Sequence, residues 1–158
     1  MTEILSNKII QKIEQASELY HRLILVVAPQ GSGKTLALRN VQQDLGVPFV
    51  NVNLEVSRQL LDLTTKQQAL QVSRIMEDIL REAETEVVLL DNTEILFEVS
   101  LKQDPLRLLQ GLSRNRTIVA SWNGEIKDNH LTYATPDHQE YCRYPSRDLL
   151  VVTPQPEP

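Results

Sequence analysis

The chain has 158 residues, a length that suits one domain, and its 41% of apolar residues is ordinary for a globular protein. A formal net charge of -5 argues against strong autonomous binding to a nucleic-acid backbone. A single cysteine excludes an internal disulfide, and no apolar run approaches the roughly 20 residues that span a bilayer. With no signal-peptide pattern at the N-terminus, we expect a cytoplasmic protein without a membrane partner.

The predicted elements alternate between amphipathic helices and apolar strands. Helices are predicted from apolar residues at three- and four-residue spacing, and buried strands from continuous apolar runs. In chain order, the elements are an amphipathic helix over 1–20, strand 23–28, helix 34–45, strand 49–53, helix 64–84, strand 87–91, a short helix after Asp104-Pro105, strand 117–121 and strand 149–152.

This alternation predicts an α/β fold with a five-stranded, mostly parallel sheet and helices on both faces. We assign residues 1–152 to one such domain. Residues 124–147 are polar, and we expect a loop there with at most one short helix. The tail 153–158 is rich in proline and cannot continue a regular element. Parallel sheets of this kind bind ligands at the carboxyl ends of their strands, where the motifs below fall.

A phosphate-binding loop follows the first strand. Ala28-Pro29-Gln30-Gly31-Ser32-Gly33-Lys34-Thr35 fits the P-loop pattern at its last three fixed positions, with alanine in place of the first glycine. Backbone N–H groups and the helix N-terminus would cradle phosphates, Lys34 would reach the β- and γ-phosphates, and Thr35 would bind Mg²⁺. The residues expected to contact nucleotide are Gln30, Gly31, Ser32, Gly33, Lys34, Thr35 and Leu36.

The third predicted strand has the pattern of the second P-loop signature, four apolar residues followed by Asp91. We expect Asp91 to hold the Mg²⁺ hydration shell. Many P-loop ATPases place a glutamate directly after this aspartate to polarise water, but Asn92 stands here, and an amide cannot accept a proton. Glu94 either substitutes for that glutamate or caps the next turn. We therefore expect slow hydrolysis of ATP.

At the fourth predicted strand the whole chain resembles the core of the AAA+ ATPases. The resemblance implies that Asn123, or else Ser121, is the sensor that contacts the γ-phosphate and the attacking water. It also implies an arginine finger just before the last strand, which completes the site of a neighbouring subunit, and either Arg143 or Arg147 fits that place. The chain ends six residues past Val152, so we expect no helical lid domain.

A closer resemblance rests on three blocks of sequence. Residues 28–39, the DNTEILF block at 91–97 and the IVASWNG block at 118–124 are similar to the small P-loop protein of type 3 BREX phage-defence systems, the BrxF family. This resemblance implies a bacterial role beside a DNA methyltransferase and other BREX components. The function we expect is a nucleotide-dependent assembly switch that forms homo-oligomers with ATP.

Other interpretations stay open at this point. A non-hydrolysing scaffold is one, and a small-molecule kinase that uses 124–147 as a lid is another. DNA binding through arginines of an assembled ring is a third. Arg114 and Arg116 precede the fourth strand, where no finger is expected, and could instead face a partner. Two weaker patterns are a zinc cluster of His130, His138 and Cys142, which lacks a fourth ligand, and base stacking by Trp122, Tyr141 and Tyr144.

Overall fold

A computed structural model describes residues 2–154 and confirms the α/β architecture. The α-helices are α1 (Thr2–Ala16), α2 (Lys34–Leu45), α3 (Val52–Leu60), α4 (Thr65–Ala83) and α5 (Pro105–Leu112). The strands are β1 (Leu23–Ala28), β2 (Phe49–Asn51), β3 (Val87–Asp91), β4 (Thr117–Lys127), β5 (His130–Tyr133), β6 (Cys142–Pro145) and β7 (Leu150–Val152). Two 3₁₀ helices, Thr93–Phe97 and Val99–Leu101, follow β3.

The five predicted strands form a parallel sheet in the order β2-β3-β4-β1-β7. β4 thus lies between β1, which leads into the phosphate loop, and β3, which ends in Asp91. The register aligns Ala28 at the end of β1 with Asn123 in β4. The polar residues that follow these three strands therefore meet at one edge of the sheet.

Both faces of the sheet are covered, which explains the continuous apolar runs. All six residues of β1 are buried, and its first five alternate between two cores. Ile24 and Val26 pack with α1 and α2, whereas Leu23, Leu25 and Val27 pack on the face that carries α3, α4 and α5.

Local sequence signals begin and end the long helices. Thr64 and Gln67 form a reciprocal capping box at the start of α4. Asp104 accepts a hydrogen bond from the backbone N–H of Arg107 and caps α5, with Pro105 in the first turn. The predicted bounds of α4 and the predicted start of α5 are confirmed to within one residue.

Three sequence predictions of local structure are wrong. The second strand ends at Asn51, and 52–60 form a helix because the Asn51 side chain caps it by accepting from the backbone N–H of Leu54. The first helix ends at Ala16 rather than near residue 20. Residues 124–147 are not a loop with a short helix, because they contain the second half of β4 and all of β5 and β6. The predicted tail continues into 155–158, which lie outside the described residues, as does Met1.

We call Gly124–Lys127, β5 and β6 the antiparallel extension. β4 pairs with β5 around Asp128 and Asn129, a two-residue turn in which both residues have positive φ, and β5 pairs with β6. Gly124 is required at the start, since a Cβ there would lie 1.8 Å from the Thr132 carbonyl oxygen. The same oxygen accepts a hydrogen bond from Trp122 Nε1 at 3.0 Å.

The antiparallel extension folds back over one face of the sheet. Its turn is tied to the start of the last connection, because the Ser146 N–H donates to the Asn129 carbonyl at 3.0 Å. Leu150, four residues after Ser146, pairs with Ile24 near the start of β1. Four residues of chain span at most about 14 Å, so the turn lies within that distance of the start of β1. Leu131 and Tyr133 are accordingly buried in the same core as β1.

Candidate nucleotide-binding site

The phosphate loop is a backbone cradle at the end of β1. Gly31 and Gly33 have φ of 80° and 93°, in the left-handed region that other residues rarely adopt. A Cβ at either glycine would meet nothing within 4 Å, so conformation rather than space requires glycine. Gly33 precedes α2, whose first backbone N–H groups have no partner within the helix and attract anions.

Lys34 is folded into this cradle. Its ammonium donates hydrogen bonds to the carbonyl oxygens of Ala28 and Pro29, each at 2.8 Å. The side chain is only 6% exposed, and burial lowers the pKa of the Lys34 ammonium, against the opposing effect of the Asp91 and Glu94 charges. A cation that is buried against carbonyl dipoles is ready to exchange those partners for phosphate oxygens.

Thr35 and Asp91 meet beside the cradle. The Thr35 hydroxyl donates to Asp91 Oδ2 at 2.6 Å, although the two residues are 56 positions apart in sequence. Asp91 is 3% exposed at the end of β3. A hydroxyl and a carboxylate oxygen at this distance match the oxygen ligands that Mg²⁺ prefers, so these residues fit the predicted metal site. Among residues 2–154 no cluster of three or more His, Cys, Asp or Glu side chains has metal-binding geometry, and the zinc pattern is therefore not supported.

Glu94 and Asn123 form a hydrogen-bonded pair at the same edge. Asn123 Nδ2 donates to Glu94 Oε1 at 2.5 Å, and both side chains are half-buried. Glu94 is thus not a helix cap, which was one of its two predicted roles. Ser121 is the weaker sensor candidate by position, because it is buried, with its carbonyl accepting from the Thr93 hydroxyl at 2.7 Å.

Asn92 has a backbone role that sequence reasoning missed. Its φ is 53°, and asparagine tolerates this left-handed conformation better than most residues. Its carbonyl accepts from the backbone N–H of Asn53 at 3.1 Å. The reversal at Asn92 starts the 3₁₀ helix 93–97, which brings Glu94 rather than Asn92 to Asn123. A dipeptide of aspartate and asparagine after a strand is a turn signal, and it indicates such a reversal.

Both candidate arginine fingers have exposed side chains. Arg143 is exposed on β6, with Nη2 at 3.3 Å from His130 Nδ1. Arg147 is exposed in the connection to β7, where the neighbouring Asp148 lines a small cleft with His21 near the start of β1. Neither arginine hydrogen bonds to the described residues of the phosphate loop.

Arg114, Arg116 and several aromatic residues make contacts that stabilise the fold. Arg116 Nη1 donates to the Leu80 carbonyl, and the Arg114 guanidinium lies 4.9 Å from the ring centre of Tyr20. Trp122 is fully buried, which contradicts its suggested role in stacking on bases. We call Phe97, Trp122, Tyr133 and Tyr144 the aromatic cluster, since their rings contact one another beside the nucleotide site.

The strand order and the cradle with its opposed aspartate define a P-loop nucleoside triphosphatase fold. The family model "ATPase family associated with various cellular activities (AAA)" matches residues 24–116, which is more than half of the chain. The chain belongs to the AAA family. Comparison with curated proteins gives no match. The solved structure of PCH-2 from C. elegans is similar to this chain, with 18% sequence identity and a TM-score of 0.44. That match covers 96% of this chain and 41% of the PCH-2 chain, so this chain spans less than half of that protein. No helix among the described residues is long and apolar enough to cross a membrane.

Proposed function

We propose that the chain binds ATP with Mg²⁺ and hydrolyses it slowly, as a nucleotide-dependent assembly switch. The observation that carries this proposal is the convergence of two hydrogen-bonded pairs at the ends of neighbouring strands. Thr35 with Asp91 would hold the metal, and Glu94 with Asn123 would hold the attacking water. Family membership supports nucleotide binding, and the geometry supports turnover.

Each residue has a distinct task in this proposal. The Lys34 ammonium leaves the carbonyls of Ala28 and Pro29 and binds the β- and γ-phosphate oxygens. Bound Mg²⁺ would neutralise charge on those oxygens. Glu94 accepts a proton from water, and Asn123 donates its amide to the γ-phosphate.

Slow turnover is expected because Glu94 stands three positions after Asp91 rather than directly after it. Its Oε1 accepts from the Asn123 amide at 2.5 Å, which leaves Oε2 as the oxygen that would accept a proton from water. The residue that follows Asp91 is an amide and cannot act as the base. A slow hydrolytic step suits a switch, because the ATP-bound assembly then lasts long enough for a partner to bind it.

Assembly is proposed because both arginines are exposed and neither hydrogen bonds to the described phosphate loop of its own chain. In a homo-oligomer, Arg147 or Arg143 would enter the site of a neighbouring subunit and stabilise charge on the transferred phosphoryl group. The resulting interface would need bound nucleotide, and hydrolysis would weaken it.

Light scattering on a sizing column tests the assembly directly. We expect the mass of the wild-type protein to increase with Mg-ATP and not with ADP, and Lys34→Ala to stay at the mass of the nucleotide-free protein. An unchanged wild-type mass, with nucleotide binding confirmed separately, would contradict the assembly switch.

Mixing two inactive variants then identifies the finger. Lys34→Ala lacks a working cradle but keeps both arginines, whereas Arg147→Ala keeps the cradle. If Arg147 acts in a neighbour, the mixture recovers part of the phosphate release that neither variant shows alone. Arg143→Ala is the matched variant, and the arginine that gives recovery is the finger.

We further propose a role in a type 3 BREX phage-defence system, with other BREX components as partners. The DNTEILF and IVASWNG blocks support this role, and they contain the pair Glu94 and Asn123. Any contact with DNA would be weak or would need the assembled form, given the net charge of -5. Loss of phage resistance in cells that carry Lys34→Ala, at wild-type protein level, tests this role.

A non-hydrolysing scaffold is the second candidate. Asn92 favours it, because the residue directly after Asp91 has an amide side chain that cannot accept a proton from water. Phosphate release by the wild type that depends on Asp91 separates the two candidates. A scaffold would bind ATP as tightly as a hydrolysing switch but would release no phosphate.

A further inference from the structure

Tyr133 lies where the antiparallel extension meets the nucleotide site. Its ring stacks on Phe97, with ring centroids 3.6 Å apart and an interplanar angle of 14°. Its partner in β4 is Gly124, the residue directly after Asn123. Tyr133 therefore contacts both elements that carry the pair of Glu94 and Asn123.

The 3₁₀ helix 93–97 places Phe97 and Glu94 on the same side. Side chains three residues apart in a 3₁₀ helix are eclipsed, since this helix has three residues per turn. A ring that stacks on Phe97 is therefore close to the Glu94 side chain. The pKa of Tyr133 agrees with this placement, because burial, followed by the charges of Glu140 and Glu94, raises it to about 12.

We propose that Tyr133 is a positioning residue for Glu94. Its ring stacks on one side of Phe97, whose ring also contacts Trp122 in β4 with centroids 4.9 Å apart. The Tyr133 and Trp122 centroids are 6.3 Å apart at an angle of 85°. Tyr133 thereby fixes the 3₁₀ helix against β4 and sets the distance between the Glu94 carboxylate and the Asn123 amide. Its effect on hydrolysis rests on the proposed function, but its effect on this distance does not.

The ring rather than the hydroxyl carries this role. Within residues 2–154 the Tyr133 hydroxyl makes no hydrogen bond, whereas the ring contacts two aromatic neighbours. The side chain is 8% exposed, so the stack is shielded from water. Tyr133→Phe should therefore preserve the pair, and Tyr133→Leu should release it.

Tyr144 provides a matched control. It lies on β6 of the same extension and contacts the Trp122 ring, with centroids 6.0 Å apart. Its hydroxyl donates to Asp104 at the start of α5, at 2.8 Å, and its ring is not in contact with Phe97. Tyr144→Leu should destabilise the extension to a similar degree without moving the 3₁₀ helix that carries Glu94.

The experiment records two readouts for the full chain. The first is the NMR chemical shift of the Asn123 side-chain amide, with Glu94→Ala as the reference for a broken pair. The second is steady-state phosphate release. We expect Tyr133→Leu to move the amide resonance to the Glu94→Ala position and to lower kcat about tenfold, with KM within twofold of wild type. Tyr133→Phe and Tyr144→Leu should keep the wild-type amide position.

A wild-type amide position in Tyr133→Leu would overturn the proposal, and so would an equal displacement in Tyr144→Leu. If the wild type releases no phosphate, the proposed hydrolysis is wrong. The amide resonance then still decides whether Tyr133 positions Glu94.

Discussion

The two halves of the nucleotide site are built in different ways. The phosphate cradle is local, since Lys34 bonds to carbonyls five and six residues earlier and two left-handed glycines shape the loop between them. The pair of Glu94 and Asn123 joins residues 29 positions apart, and the packing of the antiparallel extension supports it. Mutations in the cradle should therefore abolish nucleotide binding, whereas mutations that disturb the pair should reduce turnover and leave binding intact.

The largest expected effect comes from breaking the local half. In Lys34→Ala the phosphate oxygens lose their buried cation, so Mg-ATP should no longer stabilise the protein. For the wild type at 100 times its Kd, the stabilisation should be about 2.7 kcal/mol. Thermal unfolding with and without Mg-ATP measures this. Equal stabilisation of the two proteins would show that the cradle is not the nucleotide site.

The next effect comes from breaking the packed half. Gly124→Ala would push a Cβ against the Thr132 carbonyl, and overpacking against backbone should lower the free energy of unfolding by about 2 to 3 kcal/mol. Urea unfolding measures this loss. Binding of ATP by the folded variant should persist, because the cradle does not depend on the extension.

Gly111→Ala is the control for that variant. Gly111 lies in α5, and a Cβ there would meet nothing within 4 Å. This substitution should stabilise the helix by roughly 0.5–1 kcal/mol. Equal losses of stability in the two variants would contradict the close approach at Gly124.

The last effect is confined to alkaline pH and vanishes at neutral pH. The folded chain holds the Tyr133 proton up to about pH 12, whereas the unfolded chain releases it near its ordinary pKa of 10. The folded state therefore binds more protons in this window, and stability falls as pH rises, by at most about 1.4 kcal/mol per pH unit. Tyr133→Phe lacks this loss.

Unfolding of wild type and Tyr133→Phe at a series of pH values checks the effect. The difference in their free energies of unfolding should be constant below pH 10 and should change in favour of the variant from pH 10 to 12. Parallel curves across that window would contradict a buried, protonated Tyr133.

Local chemistry made the cradle and the five parallel strands predictable. Apolar runs defined the strands, and the glycines with Lys34 and Thr35 marked the loop between β1 and α2. The antiparallel extension escaped prediction, since its strands alternate weakly and its packing depends on the close approach of Gly124 to the Thr132 carbonyl. The helix 52–60 was also missed, because the polar residue Asn51 is as compatible with a strand that alternates apolar and polar positions as with a helix cap.

The roles of the site residues are still predictions. The geometry brings Lys34, Thr35 and Asp91 to one edge of the sheet with Glu94 and Asn123. The P-loop patterns predicted the first three, and the AAA+ resemblance implied Asn123. The bond between Glu94 and Asn123 depends on the left-handed turn at Asn92, and the spacing of these residues in sequence does not reveal it. The choice between Arg143 and Arg147 depends on a neighbouring subunit.

Phosphate release by the wild type and by Glu94→Gln, at saturating Mg-ATP, tests the central claim most directly. Glutamine keeps the size and the bond to Asn123 but cannot accept a proton from water. We predict that the wild type hydrolyses ATP slowly, that Glu94→Gln lowers kcat by about 10²-fold or more, and that the affinity for ATP stays within a fewfold of wild type. Equal rates in the two proteins, or no release by the wild type, would contradict the assignment of Glu94 as the base.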